Sequence, residues 1–173
     1  DDDILITGKR HDFYADYEAG FDDRGVIEGV KIKLASRCGI SPDLSGAINS
    51  RALFHIDNAY YLSDVSVENY LCKTNTSSST AFRGFGGNQG MMIIENIVDN
   101  IARHLRKDPA EIRKINFYQK NKKNITHYGM KIEDNVINEI FSKLIKTYNY
   151  KNRRLNIKKF NVKNKYLKKG LAI

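Results

Sequence analysis

The sequence predicts an α+β fold, with antiparallel strands in its first half and helices in its second half. Between residues 11 and 34, apolar and polar residues alternate with the period of a half-buried strand. After residue 90, apolar residues recur instead with the spacing of one helix face. A glycine-rich loop over residues 81–90 separates the two patterns, and the 173 residues suffice for one ordinary domain with a core.

Four strands are predicted before the loop, near residues 3–7, 12–21, 26–37 and 62–72. The second and third form an antiparallel hairpin, because Asp22 and Gly25 supply turn chemistry between them. His11 is expected to be an ordinary edge histidine near the start of a strand. A short helix is predicted near residues 47–56, between the third and fourth strands. Within it, His55 is expected to be packed and hydrogen-bonded.

Three helices are predicted after the loop, near residues 90–106, 109–118 and 134–148. In the first of them, Ile94, Ile97 and Ile101 fall on one apolar face. The second begins at a capping sequence, in which Asp108 precedes a proline and Glu111 follows three positions later.

Charge is unevenly distributed along the chain. Residues 1–99 hold nine basic and fifteen acidic residues, whereas residues 100–173 hold twenty and five, so the net charges are −6 and +15. Within the basic part, residues 151–165 are expected to form a solvated helix. No recognised nucleic-acid-binding motif accompanies this charge, so we expect no nucleic-acid partner. No apolar run is long enough for a membrane span, and Cys38 and Cys72 form no metal-binding pattern, which favours a reducing, cytoplasmic setting.

The glycine-rich loop, Ala-Phe-Arg-Gly-Phe-Gly-Gly-Asn-Gln-Gly at residues 81–90, is the stretch that most suggests a binding site. Its glycines let the backbone approach a bound group and permit a positive φ angle. The helix that follows offers free backbone N–H groups and the positive end of its dipole, which suits an anion. Arg83 adds a permanent charge and Phe85 a flat apolar face. The spacing is not that of a Walker A or dinucleotide-binding loop, and the simplest alternative is a tight loop with a solvated arginine and core phenylalanines.

Three stretches, in order along the chain, carry a family resemblance. They are Arg-Ala-Leu-Phe-His-Ile-Asp-Asn at 51–58, Leu-Cys-Lys-Thr-Asn at 71–75 and Thr-Ala-Phe-Arg-Gly-Phe-Gly-Gly at 80–87. Together they resemble the molybdenum hydroxylases, and in particular the xanthine dehydrogenase family, whose second glycine-rich loop is similar to the last stretch. The resemblance extends over nearly the whole chain. Residues 12–21 and 35–45 resemble the bacterial molybdopterin-binding subunit more than the animal enzyme.

This resemblance implies part of a molybdenum-cofactor-binding domain, in an enzyme that inserts oxygen from water into a C–H bond of a heterocycle or aldehyde. Within the xanthine dehydrogenase family, the reaction converts hypoxanthine to xanthine and xanthine to urate. The residues expected to contact the molybdenum–molybdopterin cofactor are Arg83, Gly84, Gly86 and Gly87. Arg51, which lies 32 positions before Arg83, is expected to bind the purine oxygen, and Phe85 is expected to stack on the purine ring.

The same resemblance implies that the chain is a fragment and is inactive alone. The family's first glycine-rich loop would precede residue 1 and its general-base glutamate would follow residue 173, so we nominate no catalytic residue and no direct metal ligand. Residues 171–173 are expected to begin an apolar strand. Residues 1–120 are expected to belong to the first molybdopterin-binding domain, and residues 121–173 to hold a linker, helices and the start of the second. The implied partners are the purine substrate, the rest of the molybdopterin subunit, and a subunit or segment carrying iron–sulfur clusters and FAD.

Three alternatives stay open from the sequence. An aldehyde oxidase would share the fold and the loop, but would not be expected to keep an arginine at position 51. A carbon-monoxide dehydrogenase large subunit would carry Tyr-Arg-Gly-Ala-Gly in place of the Phe-Arg-Gly-Phe-Gly found at 82–86. A folded, non-catalytic remnant of the molybdopterin-binding subunit is the third, and the sequence does not separate it from part of a working enzyme.

Overall fold

The computed structural model describes residues 6–173 of the chain. Within this range the chain forms one three-stranded sheet, made in spatial order of β1 (Phe13–Phe21), β2 (Ile27–Gly39) and β3 (Val65–Lys73). β1 and β2 form the predicted antiparallel hairpin. Its turn is closed by the Asp22 carboxylate, which accepts hydrogen bonds from the backbone N–H groups of Arg24 and Val26. The strand predicted near residues 3–7 lies mostly outside the described residues.

β3 runs parallel to β2, which corrects the expectation that the strands are antiparallel throughout. A parallel pair needs a crossover connection, and helix α1 (Ser45–Phe54) lies within that connection. The alternating pattern of residues 62–72 does predict a strand. However, the period of two is the same for either pairing direction, so the pattern carries no information about it.

The four predicted helices are present, with ends shifted by a few residues, and a fifth follows them. After α1 they are α2 (Gly87–Leu105), α3 (Pro109–Asn116), α4 (Ile137–Thr147) and α5 (Tyr150–Lys163). α5 corresponds to the basic segment predicted to be a solvated helix, and most of its side chains are exposed. No helix within residues 6–173 combines the length and the apolar character needed to cross a membrane.

The core lies between the sheet and α2, as the two apolar periodicities predict. Ile32 and Leu34 of β2 are fully buried, and so are Ile94 and Ile97 of α2. Burial of one such side chain contributes about 1.5–3 kcal/mol, so this contact is an important source of stability. Because α2 begins at Gly87, the same packing determines where the glycine-rich loop lies.

The predicted cap of α3 is confirmed, and it also ties α3 to α5. The Asp108 carboxylate accepts a hydrogen bond from the backbone N–H of Ala110 at 2.9 Å. It also accepts from the Tyr150 hydroxyl at 2.9 Å and from Arg154 Nε at 3.1 Å. Burial and the hydrogen bond to Asp108 raise the pKa of Tyr150 to about 12. Tyr150 therefore remains a neutral donor to the carboxylate at physiological pH.

The segment after α3 packs onto the earlier part of the chain. Phe117 forms an isolated antiparallel bridge with Tyr60 and stacks on its ring, with centroids 5.7 Å apart. Phe141 of α4 lies edge-on to Phe117 at 5.2 Å. Leu171 and Ile173 pack against the same core without forming a strand, which corrects the strand expected there. Three apolar residues are compatible either with a strand or with an irregular segment packed on the core, and here they form the latter.

Candidate functional site

The glycine-rich loop forms a compact turn directly before α2. The backbone N–H of Phe85 donates to the carbonyl oxygen of Phe82 at 2.8 Å, and that of Gly87 donates to Gly84 at 2.9 Å. Gly84, Phe85 and Gly86 have consecutive positive φ angles of 92°, 49° and 95°. A non-glycine residue held in this region costs about 1–3 kcal/mol, so the surroundings must keep Phe85 there. Strain of this kind clusters at binding sites.

Two glycines at this turn allow α1 to pack closely against the start of α2. A Cβ atom at Gly86 would lie 2.0 Å from the carbonyl oxygen of Ile48, and one at Gly90 would lie 2.3 Å from that of Ala52. Both oxygens belong to the backbone of α1, so neither can move aside without moving the helix. The sequence suggested that glycines here admit a bound group. At these two positions the structure shows that the missing side chain instead allows the backbone of α1 to pack closely.

The three glycines predicted to contact the cofactor differ in exposure. Gly84 is exposed, whereas Gly86 and Gly87 are buried. Gly87 faces the ring of His55, since a Cβ there would lie 3.3 Å from a ring carbon. His55 is therefore packed as predicted, but its ring forms no hydrogen bond within residues 6–173. The backbone N–H groups of Gly84 and Gly86 also donate to no group in that range; Gly84 is exposed to a ligand, whereas Gly86 is buried.

Arg83 is exposed, and its side chain forms no ion pair within residues 6–173. Its carbonyl oxygen accepts a hydrogen bond from NH2 of Arg10 at 2.5 Å. The guanidinium carbon of Arg10 also lies 4.5 Å from the ring centroid of Phe82, within cation–π distance. The NH1 group of Arg10 is buried and finds no acceptor in the described part of the chain. Sequence analysis missed Arg10, because 73 positions separate it from Arg83 and no local pattern signals the contact.

Arg51 is brought next to the glycine-rich loop by α1. It directly precedes Ala52, whose backbone nitrogen and oxygen lie against Gly86 and Gly90 respectively. The Arg51 side chain is exposed and forms no hydrogen bond or ion pair within residues 6–173. Phe85 is half-buried in the loop itself. The structure therefore brings together the two segments that carry the predicted substrate-binding residues, and no described residue pairs with the Arg51 guanidinium.

A chain of buried polar side chains joins the starts of β1, α1 and α2. His11 Nε2 lies 2.7 Å from the Ser45 hydroxyl oxygen, and the Ser45 carbonyl accepts from the Asn49 amide at 2.8 Å. The Gln89 amide donates to the His11 carbonyl at 3.1 Å. His11 lies two residues before the edge strand β1, as predicted, but it is only 2% exposed, and burial lowers its pKa. His11, Asn49 and Gln89 each keep one buried polar atom with no partner within residues 6–173.

Taken together, the residues around the loop fit an anionic cofactor. Counting partners within residues 6–173, Arg83 supplies an unpaired positive charge and Arg10 supplies a buried donor without an acceptor. The free N–H groups before α2 add donors at the positive end of its dipole. A cavity of about 1030 Å³ lies elsewhere, between α3, α4 and α5. Within residues 6–173, no cluster of three or more histidine, cysteine or carboxylate side chains is placed to hold a metal ion.

The chain is similar to known proteins along its whole length. Residues 1–117 match the family model described as the molybdopterin cofactor-binding domain. Over all 173 residues the chain is 41% identical to xanthine dehydrogenase/oxidase of Gallus gallus and 39% identical to xanthine dehydrogenase of Dictyostelium discoideum. In both cases the chain spans 13% of the relative's length. The closer likeness to bacterial subunits stays a prediction, and so does the domain division after residue 120.

Solved structures share the fold. Aldehyde oxidoreductase from Desulfovibrio desulfuricans ATCC 27774 superposes with a TM-score of 0.80 at 25% identity, over 91% of this chain and 17% of that one. Quinoline 2-oxidoreductase from Pseudomonas putida 86 superposes with a TM-score of 0.78 at 21% identity, over 94% and 21%, and shows the fold alone. The predicted α+β fold, as part of a molybdenum-cofactor-binding domain, is thereby confirmed. From the match over residues 1–117, we conclude that the chain belongs to the molybdopterin cofactor-binding domain family.

Proposed function

We propose that this chain is part of a xanthine dehydrogenase-type molybdenum hydroxylase, which oxidises hypoxanthine to xanthine and xanthine to urate. The observation that carries the proposal is the identity of 39–41% to xanthine dehydrogenases over the whole chain. Arg51, which has no side-chain partner among residues 6–173, adds support because its guanidinium can donate to a purine oxygen. Since the chain spans 13% of those relatives, the expected partners are the rest of the molybdopterin subunit and the segments or subunit that carry iron–sulfur clusters and FAD.

In this proposal, the residues that hold the molybdenum–molybdopterin cofactor are Arg83, Gly84, Gly86 and Gly87. When bound, the cofactor supplies the two-electron oxidation that accompanies oxygen insertion. Arg83 contributes a positive charge, and the backbone at Gly84 and Gly86 contributes N–H donors. Gly87 keeps the start of α2 close to His55, so that these donors are held in place. Arg10 joins the set, because it binds the Arg83 carbonyl and keeps a buried donor free.

Arg51 and Phe85 act on the substrate. The Arg51 guanidinium donates to a purine oxygen and stabilises the negative charge that grows there during the reaction. No carboxylate within residues 6–173 competes for this guanidinium. The ring of Phe85 offers the offset or edge contact that aromatic pairs prefer. Its strained backbone favours one fixed orientation of the turn that carries the ring.

Arg51→Met in the complete enzyme is expected to lower kcat/KM for hypoxanthine by about 10- to 150-fold. This range corresponds to about 1.5–3 kcal/mol for a charge-assisted hydrogen bond in the transition state. A small aldehyde has no such ring oxygen and should be affected far less. Steady-state kinetics with one purine and one aldehyde measure the difference.

Two companion variants show whether the effect of Arg51→Met is specific to the purine. Arg103→Met removes an exposed arginine near the far end of α2 and should leave kcat/KM for both substrates unchanged. Phe85→Ala should instead weaken the binding of every planar substrate, because the contact with the Phe85 ring is lost. If Arg51→Met lowered the purine and aldehyde rates equally, Arg51 would be structural and the proposed substrate assignment would be wrong.

The 173 residues alone are expected neither to retain molybdopterin nor to oxidise purines. Of the groups proposed to hold the cofactor, Arg83 and Gly84 are exposed, and the neighbouring Phe82 is exposed as well, so this side of the site is open to solvent. A charged ligand bound from one side only keeps most of its hydration, so its affinity should be low. Metal analysis after gel filtration of the purified chain is the measurement. Stoichiometric molybdenum would show that the described surface is sufficient.

The nearest competing function is that of an aldehyde oxidase-like molybdenum hydroxylase, since an aldehyde oxidoreductase superposes on this chain. Its identity of 25% is well below that of the xanthine dehydrogenases, and an arginine at position 51 is not expected in it. The kinetic comparison above also separates these two functions, whereas absence of both activities would favour a non-catalytic remnant. Cys38 and Cys72 are free thiols, which is consistent with the cytoplasmic location that we propose.

A further inference from the structure

A buried polar cluster at the end of α1 has no part in the roles proposed above. The Tyr118 hydroxyl donates to Asp57 Oδ2 at 2.6 Å, and His127 Nδ1 lies 3.5 Å from the same oxygen. The side chains of Asp57 and His127 are 6% and 8% exposed. Burial and the hydrogen bond to Asp57 raise the pKa of Tyr118, so it stays a neutral donor. The cluster joins segments that lie about 60–70 positions apart in the chain.

The second ring nitrogen of His127 caps α1. Nε2 lies 3.2 Å from the carbonyl oxygen of Leu53, in the last turn of the helix. The last carbonyls of a helix have no donor within the helix, and a donor or cation placed there stabilises its end. Within residues 6–173, the other donor to this carbonyl is the backbone N–H of Ile56, at a longer 3.4 Å. The contact from His127 is therefore the shorter of the two contacts that hold this carbonyl.

The segment that carries His127 is itself a tight turn. The backbone N–H of Thr126 donates to Met130 at 2.8 Å, and the N–H of Met130 donates to the Thr126 hydroxyl at 2.9 Å. The ring of Tyr128 lies edge-on to Phe54, with centroids 5.0 Å apart. The turn thus contacts α1 at two successive residues, through a hydrogen bond at Leu53 and a ring contact at Phe54. A rigid turn can hold a helix end in one position.

We propose that His127 is a positioning residue for Arg51. Arg51 lies two residues before Leu53, in the helical turn that His127 caps. Without the cap this turn would fray, and the backbone that carries Arg51 would be held less firmly against the glycine-rich loop. The opposite ring nitrogen, Nδ1, lies 3.5 Å from Asp57 Oδ2 and forms no hydrogen bond within residues 6–173, so the proposal depends on the contact made by Nε2. The inference rests on the substrate role proposed for Arg51, but the cap itself can be tested independently of that role.

Hydrogen exchange in the purified chain tests the cap. His127→Ala should speed amide exchange at residues 51–55 about fivefold, as expected for loss of one hydrogen bond, and leave α5 unchanged. Two conservative variants separate the contacts of the two ring nitrogens. The amide of His127→Gln can occupy the place of Nε2 and should restore slow exchange. The shorter amide of His127→Asn reaches only the place of Nδ1 and should not. Equal exchange in the Gln and Asn variants, or no change in the alanine variant, would overturn the proposal.

Kinetics of the complete enzyme test the effect on Arg51. His127→Ala should raise KM for hypoxanthine about threefold or more and change kcat/KM for a small aldehyde less than twofold. In an Arg51→Met background, the same substitution should have no further effect on the purine, because coupled residues are not additive. Equal losses on purine and aldehyde would overturn the positioning role. Failure of the proposed function would appear separately, as an Arg51→Met variant without purine selectivity.

Discussion

Gly86→Ala is expected to lower the free energy of unfolding by about 2–5 kcal/mol. The new Cβ would lie 2.0 Å from the carbonyl oxygen of Ile48, so α1 and α2 would have to separate. Overpacking of this kind costs about 1–3 kcal/mol. A left-handed backbone, here with φ of 95°, adds about 1–2 kcal/mol for any residue with a Cβ. Urea denaturation of the purified chain, followed by circular dichroism, measures the change.

Gly46→Ala is the matched control for this prediction. Gly46 lies in the first turn of α1, has no atom within 4 Å of an added Cβ and does not have a positive φ angle. Alanine favours a helix over glycine by up to about 1 kcal/mol, so this variant should be neutral or slightly more stable. If Gly86→Ala behaved like Gly46→Ala, the glycine would not be required for helix packing. Its presence would then have to be explained by the backbone groups it offers to a ligand.

Glu95→Ala is expected to cost about 1–3 kcal/mol, the range for leaving donors without their acceptor, because the ion pair is only partly buried, with 34% of the Glu95 side chain exposed. Arg113 donates to Glu95 Oε2 from Nε at 2.9 Å and from NH2 at 2.7 Å. The Tyr60 hydroxyl and the Asn58 amide donate to Oε1 at 2.6 and 3.0 Å. The Arg113 side chain is only 13% exposed, so it would lose a partner that water cannot fully replace. Its second partner, Asp99, keeps the cost from being higher.

Two further variants make the Glu95 prediction specific. Glu95→Gln keeps an acceptor for Tyr60 but loses the charge, so its stability should fall between wild type and Glu95→Ala. Glu139→Ala removes an ion pair with Lys120 in which both side chains are more than 60% exposed, and should change stability by less than about 1 kcal/mol. Equal denaturation midpoints for the alanine variants at 95 and 139 would contradict the role assigned to Glu95.

Several features could be predicted from the sequence because they depend on neighbouring residues. The β1–β2 hairpin follows from alternation on both sides of the Asp22 turn, and the apolar face of α2 follows from its helical spacing. The start of α3 follows from Asp108 and the proline after it. The glycine-rich loop was recognisable from composition and family resemblance. Apart from the family resemblance, which draws on stretches between residues 51 and 87, these signals come from residues close together in the sequence, where periodicity and capping operate.

Other features of the candidate site depend on residues that meet only after folding. Arg10 binds the carbonyl of Arg83 across 73 positions, and His127 reaches Leu53 across 74. The reason for a glycine at position 86 is likewise the backbone of another helix, which no pattern within the loop records.

By itself, the sequence determined the order of the elements, the glycine-rich loop and the family to which the chain belongs. Only the tertiary structure decided the parallel direction of β3, the burial of His11, and which residues support Arg51 and Arg83. The physical reason is that periodicity shows which side of an element is apolar but does not show which other element packs against that side. The partner itself is selected by close packing between elements, and packing depends on the whole chain at once.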